Sequence, residues 1–250
     1  MMIVKLTKNN LYNGSLILVN PDNPINERFK AGNLVPPFLE YEDILINERA
    51  SNILREVLTN INGYEHIVPV SGYRTLEEQT NIYNSSVIVN GEKFTAKYVA
   101  EPNCSEHQTG LAIDLAKKVD NVDFICPEFP YEGICEIFRD VAMRYGFIER
   151  YKEEKKDITK ISGEPWHFRY VGYPHAEIIT KSNMALEEYI EFIKDYKYGE
   201  NPYVYIKDGR KIEISYKAYE EENTFIKLDD NDLYLISGNN YDGFIITVWR

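Results

Sequence analysis

The chemistry-bearing residues of this chain concentrate in two short motifs. Ser105-Glu106-His107-Gln108-Thr109-Gly110-Leu111-Ala112-Ile113-Asp114 sets an imidazole and a carboxylate seven positions apart, with a Thr-Gly break between them. About fifty residues later, Glu164-Pro165-Trp166-His167-Phe168-Arg169-Tyr170 supplies a second histidine with a carboxylate three positions ahead of it. Two His and one Asp (His107, Asp114 and His167) can form a three-ligand zinc site with an open fourth position. Glu164 is then left over as a base for the attacking water. The competing reading is a hydrogen-bonded His–Asp pair that pins a loop. Positions three apart on a straight strand face opposite sides, so Glu164 and His167 converge only if Pro165 bends the backbone. Arg74, in Ser71-Gly72-Tyr73-Arg74, adds a permanent cation of fixed geometry. Such a group suits the negative charge that grows on an amide carbonyl oxygen under attack. Its structural alternative is an arginine paired with an acid of the fold.

For these residues to meet, strands and corners must carry them. Leu111–Ile113 read as a short buried strand with Asp114 at its end, and Phe168–Val171 as a strand leaving the second motif. His66–Val70 is a strand that runs towards Arg74. Thr75 and Glu78 then form a capping box for a helix from Leu76 to about Asn84. Arg74 therefore sits at a strand-to-helix corner, and Gln79 and Tyr83 share one face of the helix. Apolar residues at helical spacing predict further helices over Glu42–Asn60, Gly133–Tyr145 (stopped by Gly146) and Leu186–Tyr196. Phe147–Tyr151 and Ser15–Val19 read as strands, the latter within an otherwise irregular stretch 1–40. The stretch 85–103 reads as a loop and short helix that either walls a cleft or is a plain surface excursion, and 116–132 as a long loop of the kind that forms lids or specificity walls. From Tyr203 the composition alternates, and Asp208-Gly209 between two alternating runs is a strong hairpin signal. Runs at Thr224–Leu228, Leu233–Ile236 and Phe244–Trp249 extend the pattern. The expected fold is α+β: a small central antiparallel sheet with flanking helices carrying the zinc site over residues 1–196, and a C-terminal antiparallel β appendage over 197–250.

Composition narrows the function classes. With 44% hydrophobic residues the 250-residue chain can bury a real core, so disorder is not the default. A formal net charge of −12 argues against nucleic acid and anionic membrane surfaces as partners. No run approaches 18 uninterrupted apolar residues, so no membrane span is expected. The N-terminus lacks the basic start and apolar run of a secretory signal. Three cysteines (Cys104, Cys126 and Cys135) are too few for a disulfide scaffold of this size. Together these favour the cytoplasm. Cys104, three residues before His107, reads as a loop residue, because a thiolate there would crowd the open metal position. His66 and His175 read as a strand-entry and a helix-start histidine.

Taken together and in this order, the Ser71–Arg74, Ser105–Asp114 and Glu164–Gly172 motifs resemble the VanY-like D-alanyl-D-alanine carboxypeptidases. The β-rich tail and lack of an anchor bring the likeness nearest to the VanXY type, the bifunctional D,D-dipeptidase/D,D-carboxypeptidases of vancomycin resistance. The resemblance implies one catalytic zinc on His107, Asp114 and His167, Glu164 as catalytic base and Arg74 as transition-state stabiliser. It also implies small peptide substrates: the dipeptide D-Ala-D-Ala, and the terminal D-Ala of the cytoplasmic UDP-muramyl pentapeptide precursor. Gln79, Tyr83, Ser105 and Trp166 are candidate substrate contacts, with ordinary packing as their alternative. Two other functions are compatible with the same motifs. One is a peptidoglycan-lytic endopeptidase of the same fold, and the other a non-catalytic zinc-stabilised module that binds muropeptides.

Overall fold

Four short strands carry both motifs, and their alternation decides which side chains meet. The computed structural model describes residues 1–123, 126–221 and 224–250. Strands β1 (Ile67–Ser71), β2 (Ala112–Lys117), β3 (Phe147–Tyr151) and β4 (Glu164–Tyr170) form an antiparallel sheet in the order β1–β2–β4–β3. One face of this sheet is core. Phe168 of β4 meets Phe129 and Phe138 edge-on, with ring centroids 5.2 and 4.9 Å away. Helices α1 (Glu48–Asn60) and α4 (Gly133–Tyr145) pack against each other, burying Leu54, Val57 and Leu58 of one and Cys135, Phe138 and Ala142 of the other. Between β1 and β2 the chain forms α2 (Leu76–Asn90) and α3 (Glu92–Tyr98), and after β4 it forms α5 (His175–Lys181).

The chain divides into two compact units. One comprises Asn20–Pro24 and Lys30–Ala185; the other comprises Met1–Val19, Ile25–Phe29 and Leu186–Arg250. The N-terminal segment and helix α6 (Leu186–Lys194), which the sequence groups with residues 1–196, thus lie with the C-terminal strands. That second unit holds a sheet of β5 (Tyr203–Lys207), β6 (Arg210–Ala218), β8 (Leu233–Gly238) and β9 (Gly243–Trp249), ordered β8–β9–β6–β5. β5 and β6 form the hairpin expected at Asp208-Gly209, where both residues have positive φ. Strand β7 (Phe225–Leu228) does not join this sheet, as its alternation had suggested. It pairs with the N-terminal strand Met2–Lys5, and the two close a core with Leu6, Phe244 and Ile246.

Three other expectations need correction, each for a physical reason. Ser15–Val19 is not a strand: Leu16–Val19 are buried, but Leu16 N–H donates to Ser237 Oγ (2.9 Å) and Leu18 N–H to Asn239 O (3.2 Å), without a ladder. The helix expected from Glu42 starts at Glu48, because Asn47 Oδ1 caps it by accepting from Arg49 N–H (3.1 Å) and Ala50 N–H. Ile46-Asn47 instead pairs with Leu34-Val35. The helix expected to end near Asn84 runs to Asn90, and α3 is the short helix expected within 85–103. The contact between these two helices is polar, with Ser86 Oγ and Thr95 Oγ1 2.8 Å apart and buried, so no apolar period marks it. Of the 116–132 loop, Ala116 and Lys117 belong to β2, while residues 124 and 125 lie outside the described residues. Among the described residues no helix is long and apolar enough to cross a membrane.

Gly146 ends α4 as the sequence predicts, at φ +111°, and a Cβ there would come 2.8 Å from Gly172 Cα. Gly146→Ala is therefore expected to destabilise the protein by about 2 kcal/mol through backbone strain. The measure is a lower urea midpoint at unchanged m-value.

Candidate active site

Strand register assembles the site. Asp114 on β2 lies directly opposite His167 on β4, and Ser71 at the end of β1 lies opposite Asp114. His107 arrives from the 3₁₀ turn Glu106–Thr109, which Gly110 closes at φ +70° before β2 begins. One ligating atom each from His107, Asp114 and His167 falls within 4.8 Å of the others. All three side chains are buried. The sequence-predicted trio therefore meets.

The donor set fits a cation. His107 Nδ1 lies 2.7 Å from the Gly72 carbonyl oxygen, which only accepts, so Nδ1 carries the proton and Nε2 faces the site with its lone pair. That nitrogen lies 3.1 Å from Asp114 Oδ2, and His167 Nδ1 lies 2.9 Å from Asp114 Oδ1. A lone-pair nitrogen against a carboxylate needs a proton or a metal ion between the two. A rear hydrogen bond from a ligating imidazole to a carbonyl is also usual in metal sites. The two rings stand 4.9 Å apart at 81°.

The electrostatics of the polypeptide alone separate the two histidines. Burial, with the Arg74 guanidinium nearby, pushes His107 down to about 4. Burial also works against charge on His167, but Asp114 and Glu106 outweigh it and raise the imidazole to about 9. Asp114 is buried too, yet both histidines hold its carboxyl well below the usual range. Glu164 behaves oppositely: burial dominates and pushes it up to about 8.

Glu164 and His167 do converge, with Oε2 3.8 Å from Nδ1. The ladder shows how: Glu149 pairs with Phe168 and Tyr151 with Glu164, so two steps along β3 match four along β4. Extra residues around Pro165 turn Glu164 to the face of His167. Arg74 Nε and Nη2 donate to Ser71 Oγ (3.0 and 2.8 Å), Nη1 donates to Gln79 Oε1 (3.3 Å), and Nη2 reaches Asp114 Oδ2 at 3.3 Å. The arginine thus lines the site and is also paired with an acid, Asp114.

Of the four candidate substrate contacts, Ser105 and Trp166 line a cleft of about 570 Å³ together with Arg74, Glu164 and the metal trio. Gln79 and Tyr83 are not among its lining residues. Gln79 is fully buried and braces Arg74 while donating to Ala100 O (2.7 Å), a supporting role rather than a surface one. Sequence reasoning missed Ser71, the hydroxyl that orients Arg74, and Tyr151, whose ring lies 4.8 Å from that of His167. Ser71 was visible as the polar end of an apolar strand three residues before Arg74; Tyr151 had no local signal.

With the geometry in place, comparison with known proteins decides the family. Residues 44–173 match the sequence model of VanY, D-alanyl-D-alanine carboxypeptidase. This chain belongs to the VanY family. A relative of the VanY-family chain in Enterococcus gallinarum, the bifunctional D-Ala-D-Ala dipeptidase and carboxypeptidase VanXYC, is 42% identical over 182 residues, which are 72% of this chain and 95% of the relative. The vancomycin resistance D,D-dipeptidase VanXYg, solved with a D-Ala-D-Ala phosphinate analog, superposes with a TM-score of 0.96 at 49% identity, covering 100% of this chain and 99% of that one. A D,D-pentapeptidase VanY from a VanB-type resistance cassette, solved with Zn(II), gives a TM-score of 0.59 at 32% identity over 70% of this chain and 98% of that one.

If the VanY-family trio holds a divalent ion in the folded state only, Zn²⁺ at about one hundred times its Kd should stabilise the protein by about 2.7 kcal/mol. Asp114→Ala should abolish that gain. Thermal unfolding with Zn²⁺ and with chelator reads both.

Proposed function

We propose that this chain is a zinc-dependent D,D-peptidase. It hydrolyses D-Ala-D-Ala both as the free dipeptide and at the C-terminus of the UDP-muramyl pentapeptide precursor in the cytoplasm, and so supports vancomycin resistance. The observation that carries the reading is the convergence of His107, Asp114 and His167 beside a buried Glu164 in one cleft. The named activities of VanXYC and VanXYg support the substrate class.

A single zinc ion on His107 Nε2, the Asp114 carboxylate and His167 Nδ1 would supply Lewis acidity for the scissile carbonyl and the attacking water. Glu164 Oε2 takes a proton from that water and delivers it to the leaving amine nitrogen. Its raised pKa makes it a good acceptor near neutral pH, where an ordinary carboxylate would be a weaker base. Arg74, braced by Ser71 and Gln79, presents a guanidinium to the charge that develops on the carbonyl oxygen. Ser105 and Trp166 line the same cleft and contact the bound peptide. All of these residues lie in the unit that spans Lys30–Ala185.

Purified zinc-loaded enzyme should release D-Ala from both D-Ala-D-Ala and the pentapeptide precursor, lose activity with chelator and regain it with Zn²⁺. Release from neither substrate overturns the reading. Glu164→Gln should lower kcat by at least about 10²-fold while zinc stays bound, and Arg74→Ala should lower it on the order of 10²-fold with a smaller effect on KM.

The pH dependence has a definite sign. Glu164 must be ionised to accept a proton, burial raises its pKa from 4.5 to about 8, and a nearby cation lowers it again. The rate kcat/KM should therefore rise with pH through an acidic limb centred no higher than about 8. An acidic limb that persists unchanged in Glu164→Gln would exclude Glu164 as the group that sets it.

A further inference from the structure

Behind His167, on the side away from Asp114, lies a buried charge cluster that the reaction does not use. Glu106, Arg150 and Arg169 have side chains with no exposed surface. Both guanidinium groups meet the same carboxylate oxygen: Arg150 Nε donates to Glu106 Oε1 at 2.8 Å, and Arg169 Nη1 lies 2.8 Å from it. Among the described residues the other oxygen, Oε2, makes no hydrogen bond, nor does His167 Nε2. These two buried atoms face each other 3.7 Å apart. An unsatisfied buried polar atom is costly, and here a lone acceptor and a potential donor lie within a small movement of contact.

We propose that Glu106 is a positioning residue for the metal centre: its Oε2 accepts a hydrogen bond from His167 Nε2–H and thereby fixes the tautomer that leaves the Nδ1 lone pair for the metal ion. The two arginines supply the reason that this acid can serve buried. They keep Glu106 ionised, and an ionised carboxylate can only accept, which excludes the tautomer with its proton on Nδ1. An anionic partner behind a ligating imidazole also raises its basicity and its hold on a metal. His107 receives the equivalent service from the Gly72 carbonyl. Each histidine ligand is thus oriented from behind by a different kind of acceptor.

This inference rests on the zinc reading above, and two measurements separate their failures. In zinc-loaded wild-type protein labelled with ¹⁵N-histidine, long-range ¹H–¹⁵N correlation should show His167 protonated at Nε2 and metal-bound through Nδ1. A wild type that binds no zinc overturns both readings. A zinc-bound wild type with the opposite assignment overturns this one alone. The second measurement is zinc affinity of Glu106→Gln by chelator competition. The amide is isosteric, but it cannot offer an oxygen to two arginines and another to His167. If its NH₂ faces His167, it favours the wrong tautomer; if it faces the arginines, it opposes two cations. Affinity should fall by about 10- to 100-fold. Unchanged affinity in a folded Glu106→Gln overturns the proposal, and should that variant fail to fold, the labelled wild type decides.

Discussion

The site depends on one strand register. Directly opposed residues of an antiparallel pair carry their Cβ atoms about 4.5–5.5 Å apart, which suits two ligands of one metal ion. Asp114 and His167 occupy such a pair, and Ser71 extends the row across β1. A slip of one residue would turn every side chain to the other face, bringing Phe168 or Ile113 where the ligands stand. The slip is prevented by the opposite face. Ile113, Leu115 and Phe168 are buried there, and Phe168 is held among Phe129 and Phe138. Hydrophobic packing on one side of two strands therefore sets coordination geometry on the other.

Burial has a second consequence, visible in two glutamates of similar environment and opposite behaviour. Glu106 and Glu164 are both buried near His167. Burial opposes the charge on Glu106, but Arg150 and Arg169 prevail and hold its carboxyl well below the ordinary range. For Glu164 burial is the largest influence, and its carboxyl rises. Separated pKa values in one site mark separated tasks. An acid pinned in its anionic form suits orientation, whereas one poised near neutrality suits proton transfer. The arginines make that distinction, since both acids are carboxylates on the same kind of stem.

How much of this could be read beforehand follows from where the information lies. His107, Asp114 and His167 were legible because each sits at the edge of an apolar run whose alternation predicts a strand, and strand ends define cleft edges. The bend at Pro165 was legible because proline lacks the donor that a regular ladder needs. Glu106 was not, as its partners Arg150 and Arg169 come from two other strands far along the chain. The extension of α2 from Asn84 to Asn90 was hidden by its polar contact with α3, where Ser86 and Thr95 replace the apolar residues that periodicity detects. The partners of Gln79 were not legible: a glutamine on a helix face looks free to meet a ligand until Ala100 and Arg74 are seen to use it. The pairing of Met2–Lys5 with β7 joins the two ends of the sequence, and no local pattern encodes such a contact.

The ladder is irregular where chemistry needs it to be. Between Pro69 and Ser71, two steps of β1 match one of β2, and beside Glu164 four steps of β4 match two of β3. A regular sheet could present His167 or Glu164 to the cleft, but not both, because three positions reverse the face. Bringing both to one side leaves backbone groups without ladder partners, and each must be satisfied elsewhere. Arg139 does this for the Pro165 carbonyl, donating from Nη2 at 2.9 Å while its other donors serve Phe129, Pro130 and Glu149. The guanidinium, stacked 4.0 Å from the Tyr131 ring centroid, thus stands in for a missing strand partner. Convergence of base and ligand is in this sense a property of the helix that carries Arg139 as much as of the strand that carries Glu164.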